Sequence, residues 1–275
     1  MGIVKKLPTP ATKKLTIAKE VDTAGLTLPT MNSKAIQDMQ DVFWLLYGER
    51  KIGKSSLAAC FPSAFFMMFE PGGKSLEIKQ ASCQTWEHAL QYVKLLENNP
   101  AYCKTVVIDT GFKAYEKCTD YVCKRDMISH PSDAEWGKGW DAVRREFYAF
   151  HERILNLGLG MIVTAHSEIK DVNRRDGSKY QKLSVELGKT PFTFYAGIAD
   201  IIAYYQYNEK NERELTIRGD SFVEAGCRLV KNFNFTDGTP VVHIPIGNKG
   251  AKEGYQILCD SFANKLIRKI AIAKK

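Results

Sequence analysis

From Val42 onward, short unbroken apolar runs alternate with longer stretches in which apolar residues return every three or four positions. Val42-Phe43-Trp44-Leu45-Leu46-Tyr47, Ala64-Phe65-Phe66-Met67-Met68-Phe69, Thr105-Val106-Val107-Ile108 and Gly160-Met161-Ile162-Val163-Thr164-Ala165 are apolar on both faces, the mark of parallel strands covered on two sides. Between them, Trp86 to Glu97, Phe112 to Asp126 and Trp140 to Leu157 have helical spacing, the last with Val143, Phe147, Phe150, Ile154 and Leu157 on one side. Strands separated by helices predict an α/β fold with a mostly parallel sheet flanked by helices.

The pattern changes in the final third. Ile201 to Tyr207, a polar Glu209-Lys210-Asn211-Glu212 and Glu214 to Arg218 predict a β-hairpin, and Val241 to Pro245 a further short strand, together an antiparallel C-terminal addition. Glu253 to Ala273 places Tyr255, Leu258, Phe262, Leu266 and Ile270 at helical spacing. Its late cations Lys265, Arg268, Lys269, Lys274 and Lys275 fit either a solvated helix end or nucleic-acid contact. Residues 1–38 carry three prolines, many threonines and lysines and no periodicity, and are expected to be an extended arm. The expected organisation is a basic N-terminal arm over 1–38, a core over 39–246 and a basic C-terminal helix over 247–275.

The first motif with chemistry in it follows the first apolar run. Residues 48 to 55, Gly-Glu-Arg-Lys-Ile-Gly-Lys-Ser, form a complete G-x-x-x-x-G-K-[ST] phosphate loop between a strand and the helix-forming Ser56-Leu57-Ala58-Ala59. Glycines let the backbone turn its N–H groups around a polyphosphate, Lys54 offers a point charge, and Ser55 offers a hydroxyl to Mg²⁺. The binding set is therefore Gly48, Glu49, Arg50, Lys51, Ile52, Gly53, Lys54, Ser55 and Ser56, with a nucleoside triphosphate and Mg²⁺ as the expected cofactors.

Three strand ends supply further candidates. Asp109 ends Thr105-Val106-Val107-Ile108-Asp109, where a Walker-B carboxylate meets a metal that Ser55 shares; the plain alternative is a helix N-cap. No glutamate follows Asp109, so a base must come from elsewhere. Glu70, at the end of the preceding apolar run, could polarise water or simply be a turn residue before Pro71-Gly72-Gly73. His166 ends the run Ile162-Val163-Thr164-Ala165 and could report the γ-phosphate to the loop that follows. That loop, Ser167 to Lys189, holds Lys170, Arg174, Arg175, Lys179 and Lys182 beside Tyr180, a combination suited to single-stranded nucleic acid. Asp171 and Asp176 temper this, and a solvated loop is the alternative.

Composition adds a bias. Lysine and arginine outnumber acidic residues 39 to 31, a formal charge of +8, which suits an anionic partner beyond the nucleotide. The seven cysteines include no C-x-x-C pair and read as reduced thiols. No run approaches the roughly 18 apolar residues of a membrane span, and the start Met1 to Pro8 lacks a signal-like apolar stretch, so a cytosolic protein without a membrane partner is expected.

The order Tyr47-Gly48 through Ser56, Glu70-Pro71-Gly72-Gly73-Lys74-Ser75-Leu76, Val107-Ile108-Asp109-Thr110 and Val163-Thr164-Ala165-His166 resembles the phage AAA-type ATP-binding proteins with a RecA-like core, some of which act in single-strand annealing and recombination. The similarity covers roughly residues 40 to 230, including Gly226-Cys227-Arg228. It implies a RecA-like P-loop fold and a Mg·ATP-dependent ATPase acting on single-stranded DNA in phage-type recombination, annealing or replication, in the host cytoplasm if phage-encoded. A single-strand-binding protein and further copies of the chain are implied as partners. By the same resemblance Glu70 is the counterpart of the catalytic glutamate, acting with Lys54, and His166 resembles the polar sensor before a DNA-binding loop. Arg50, Lys51 and Met68 depart from the pattern. A nucleotide-dependent assembly protein with little hydrolysis is the alternative reading, and a P-loop kinase the less favoured one. Arg218 and Arg228 are candidates for reaching a neighbour's nucleotide.

Overall fold

The structure, a computed structural model, describes residues 28–32 and 35–268. The chain divides into two units, residues 1–35 and 36–275. The arm expected over 1–38 falls mostly on residues outside those described, as do Lys269, Ile270, Ala273, Lys274 and Lys275 of the expected terminal helix.

Among the described residues, the second unit is built on one ten-stranded sheet. Its strands are β1 (Phe43–Gly48), β2 (Ala64–Met68), β3 (Lys79–Ser82), β4 (Thr105–Asp109), β5 (Gly160–Asn173), β6 (Lys179–Val185), β7 (Ile201–Tyr207), β8 (Arg213–Thr216), β9 (Gly226–Cys227) and β10 (His243–Ile244). The helices are α1 (Lys54–Ala58), α2 (Trp86–Asn98), α3 (Gly111–Arg125), α4 (Lys138–Leu155), α5 (Lys189–Ile198) and α6 (Ala251–Phe262). The main order is β10-β8-β7-β1-β5-β4-β2-β3, parallel from β7 through β3, while β8 and β10 add antiparallel at the other edge. This is the mostly parallel, helix-flanked α/β arrangement expected, with its antiparallel C-terminal end. β5 lies between β1 and β4, so the ends of β1 and β4, Gly48 and Asp109, meet the end of the parallel-paired part of β5, Thr164 to His166, on one edge.

Strand alternation sorts the core into two faces. Phe43, Leu45, Tyr47, Val106, Ile108, Met161 and Val163 face one core with α2, α3, α4 and α5, and Trp44, Leu46, Phe66, Val107 and Ile162 face the other with α1 and α6. In the first core Phe147 packs edge-on to Tyr115, Phe194 and Tyr195, geometry that the ring quadrupoles favour.

Two segments differ from expectation. Ser167 to Lys189 is not a loop: β5 runs straight out of the parallel sheet to Asn173 and pairs antiparallel with β6. The turn is closed by Arg174 N donating to Ser178 O at 2.8 Å, with Gly177 at φ +84 and Asp176 Oδ1 accepting from Ser178 N at 2.9 Å. Asp-Gly turn chemistry thus outweighs the low apolar content of the strands. The terminal helix stops at Phe262 rather than reaching Ala273. Asn264 is left-handed at φ +60, and Lys265 N donates to Asp260 O and Asn264 N to Ser261 O, the double closure that ends helices. Lys265 and Arg268 therefore lie past the helix.

A titratable group lies inside the first core. His151 is fully buried, and its Nδ1 is 2.7 Å from Phe147 O, which can only accept, so Nδ1 carries the proton and Nε2 accepts from Tyr195 Oη at 2.8 Å. Burial depresses its pKa from 6.5 to about 4. Between those values the unfolded chain holds the extra proton, so stability falls as pH drops from about 6.5 and levels off below about 4. The slope should approach about 1.4 kcal/mol per pH unit from this residue. Urea unfolding of wild type and His151→Gln at pH 7, 6, 5 and 4 checks it, since the variant should lose that component. Parallel pH profiles would exclude His151 as the source.

Candidate functional site

The phosphate loop takes its shape from two constraints. Gly48 ends β1 so close to β7 that a Cβ would lie 2.2 Å from Tyr205 O, and Gly53 turns into α1 at φ +110, a conformation that glycine alone adopts readily. Ile52 is buried beneath the loop, and its carbonyl accepts from Arg213 Nε of β8 at 2.8 Å. The antiparallel addition thus braces the loop.

Lys54 is buried, with Nζ donating to Gly48 O at 3.0 Å and Glu49 O at 2.8 Å and lying 3.4 Å from His166 Nδ1. An ammonium has no acceptor, so His166 accepts there and its proton sits on Nε2. Burial lowers the Lys54 pKa to about 8, opposed by the charges of Asp109 and Glu70. Burial, then Lys54 and Arg50, lowers that of His166, keeping it neutral at physiological pH.

Asp109 is only 6% exposed, and both its oxygens are engaged: Ser55 Oγ donates to Oδ2 at 2.7 Å and Thr164 Oγ1 to Oδ1 at 2.6 Å. Glu70 lies just past β2 in the same cavity. Its pKa is raised, first by burial and then by Asp109, against the pull of Lys113, Arg50 and Lys54. The cavity measures about 700 Å³.

Of the nine expected loop residues, Arg50, Lys51, Gly53, Lys54, Ser55 and Ser56 line this cavity, together with Glu70, Asp109 and His166. Gly48 and Glu49 act instead through their carbonyls, and Ile52 through packing. Thr164, Lys113 and Glu186 also belong to the site and were not singled out in the sequence. Register would have found Thr164, which pairs with Asp109 across β4 and β5.

The five expected nucleic-acid cations stand apart, on the β5–β6 hairpin. Lys170 pairs with Glu168 at 2.9 Å and Lys182 with Glu224 at 2.6 Å, so both are locally neutralised. Arg174 stacks over Tyr180, 4.8 Å from the ring centroid, with Arg175 and Lys179 also exposed at the tip. Arg218 donates to Val241 O and Arg228 to Gly197 O, both within their own chain.

A family model described as an AAA domain matches residues 41–229. The chain belongs to this AAA domain family. The AAA match runs from the threshold of β1 through β9 and includes the phosphate loop, Glu70, Asp109, His166 and the hairpin, which makes this a nucleotide-binding P-loop fold. Among solved structures, a KaiC-like protein from the hyperthermophilic archaeon Pyrococcus horikoshii OT3 is similar at 15% identity, covering 66% of this chain and 80% of that one with a TM-score of 0.38. No curated protein matches the sequence. Among the described residues, no helix is long and apolar enough to cross a membrane.

The AAA site predicts a simple binding result. Lys54→Ala removes the one buried cation of the loop, so affinity for a fluorescent ATP analogue should fall at least about tenfold, within the range of a charge-assisted contact, while the melting temperature changes little. A folded variant that binds as tightly as wild type would remove Lys54 from the phosphate site.

Proposed function

We propose that this AAA protein is a Mg·ATP-dependent ATPase that acts on single-stranded DNA, in recombination, annealing or replication of the phage type. The observation that carries the ATPase reading is the bond between Ser55 and Asp109 with the Glu70 carboxylate on the same cavity. Ser55 and Asp109 offer hard oxygen donors, and no group of three or more His, Cys, Asp or Glu residues among those described forms a metal site. That donor set fits Mg²⁺, which keeps several waters and takes one or two protein oxygens plus phosphate oxygens. When bound, Mg²⁺ would neutralise charge on the phosphates.

The chain's own residues would do the rest. Lys54 exchanges the carbonyls of Gly48 and Glu49 for phosphate oxygens, and the backbone N–H groups that follow Gly53 point at the same charge. Glu70 accepts a proton as a water oxygen bonds to the γ-phosphorus and the bond from that phosphorus to the bridging oxygen breaks. Its raised pKa makes it a stronger base than an exposed glutamate. Glu70→Gln should keep nucleotide affinity yet slow turnover by about a hundredfold or more. Unchanged phosphate release from that variant would make Glu70 structural.

For DNA, support comes from the hairpin tip, where Arg174 stacks over the Tyr180 ring and Arg175 and Lys179 are exposed nearby in the chain. β5 connects this tip to His166 without interruption, and Glu186 N donates to His166 O at 2.8 Å where the hairpin returns to the cavity. Replacing Arg174, Arg175 and Lys179 together by Ala should weaken binding of a labelled oligonucleotide and flatten its salt dependence. Each lost phosphate contact removes about 0.7 from the log–log slope on single strands. Anisotropy titrations at several salt concentrations read this directly. An identical slope would place the DNA contact elsewhere, and the absence of any DNA binding by wild type would favour a nucleotide-dependent assembly role.

A further inference from the structure

Among the described residues, the phosphate cavity is lined by four Lys or Arg side chains, and three of them, Arg50, Lys51 and Lys54, belong to the phosphate loop. The fourth, Lys113, comes from a different strand end, in the first turn of α3, and lines the cavity beside Glu70, Asp109 and Thr110. We propose that Lys113 is a catalytic cation supplied within the chain, which leaves Glu116 to hold the oxygens of the transferring phosphoryl group. This rests on the ATPase reading above.

Three observations support it. The backbone under Lys113 is fixed: a Cβ on Gly111 would lie 2.6 Å from Val163 Cγ1 and 3.0 Å from Tyr195 Cε2, so α3 starts tight against β5 and α5. The side chain is free to exchange partners. Its pair with Glu116 is 2.6 Å long but close to half exposed on both sides, and such pairs contribute little. A polyphosphate with several negative charges is a stronger partner than one screened carboxylate. Finally, the arginines suggested for contact with a neighbour, Arg218 and Arg228, are held by backbone carbonyls of their own chain.

Phosphoryl transfer needs positive charge at a defined moment. As the water oxygen bonds to the γ-phosphorus and the bond to the bridging oxygen breaks, electron density moves onto the bridging and equatorial oxygens. Lys113 stays protonated throughout and offers hydrogen bonds to those oxygens, while the water proton goes to Glu70. Such a contact strengthens only as charge develops, so it acts on turnover more than on binding.

The test compares wild type, Lys113→Ala, Lys113→Arg and Glu116→Gln in steady-state ATP hydrolysis and in binding of fluorescent ADP with and without aluminium fluoride, a mimic of the transferring phosphoryl group. Lys113→Ala should lose about 100- to 1000-fold in kcat, the cost of one transition-state donor, with ADP affinity kept within about twofold. The tightening of ADP binding by aluminium fluoride should disappear in Lys113→Ala and return in part in Lys113→Arg. Glu116→Gln should turn over at least as fast as wild type. Hydrolysis by wild type with Lys113→Ala unimpaired overturns the inference alone, as does an ADP affinity that falls in step with kcat. A wild type with neither turnover nor fluoride-dependent tightening overturns the ATPase reading and the inference together.

Discussion

The carboxylate of Asp109 is the constraint around which the site is assembled. A buried anion is costly unless its oxygens are hydrogen-bonded, and here one oxygen accepts a hydrogen bond from Ser55 and the other from Thr164. Those two donors come from the start of α1 and from β5, so satisfying one charge fixes the phosphate loop, the central strand and β4 relative to one another. Ser55 spends its proton on Asp109 and keeps its lone pairs for a cation. Removing Asp109 would take the acceptor from the half-buried Ser55 hydroxyl and leave the buried Thr164 hydroxyl only the longer bond to Ile108 O at 3.4 Å, and removing Thr164 would leave a half-satisfied anion.

The sheet makes that arrangement possible by separating β1 from β4 with β5. Lys54 reaches across toward β5 at His166, and Asp109 reaches from the other side to Thr164, so β5 is read by both halves of the site. Behind the site the two core faces keep these strand ends in place. Tyr195 of α5 joins two helices, closing on Gly111 at the start of α3 and donating to His151 of α4.

Much of this was legible in the sequence because it is written in period and punctuation. Apolar runs of four to six residues gave β1, β2 and β4 within a residue or two, and the glycine spacing gave the phosphate loop outright. The hairpin after His166 does not show in the sequence because charged residues such as Lys170 and Lys182 occupy half-buried positions, so burial alternates where apolar character does not; Asp176-Gly177 is the available signal. Leu266 and Ile270 continue the period of α6 beyond its end, while the stop depends on one backbone conformation at Asn264. Lys113 and Thr164 were invisible for a different reason. Both depend on which strand lies next to which, and strand order is a property of the whole chain.

β5 also sets a length scale. Its residues leave the parallel sheet at His166 and continue to Asn173 with no break, pinned throughout by β6. At about 3.3 Å per residue, seven residues put the hairpin tip roughly 23 Å beyond the phosphate edge. A strand without a joint cannot fold back at its base; it can only lean. The hairpin is therefore a pointer that multiplies angle into distance, so that a tilt of about 10° at His166 would sweep the tip through about 4 Å, roughly the spacing between neighbouring strands in a sheet.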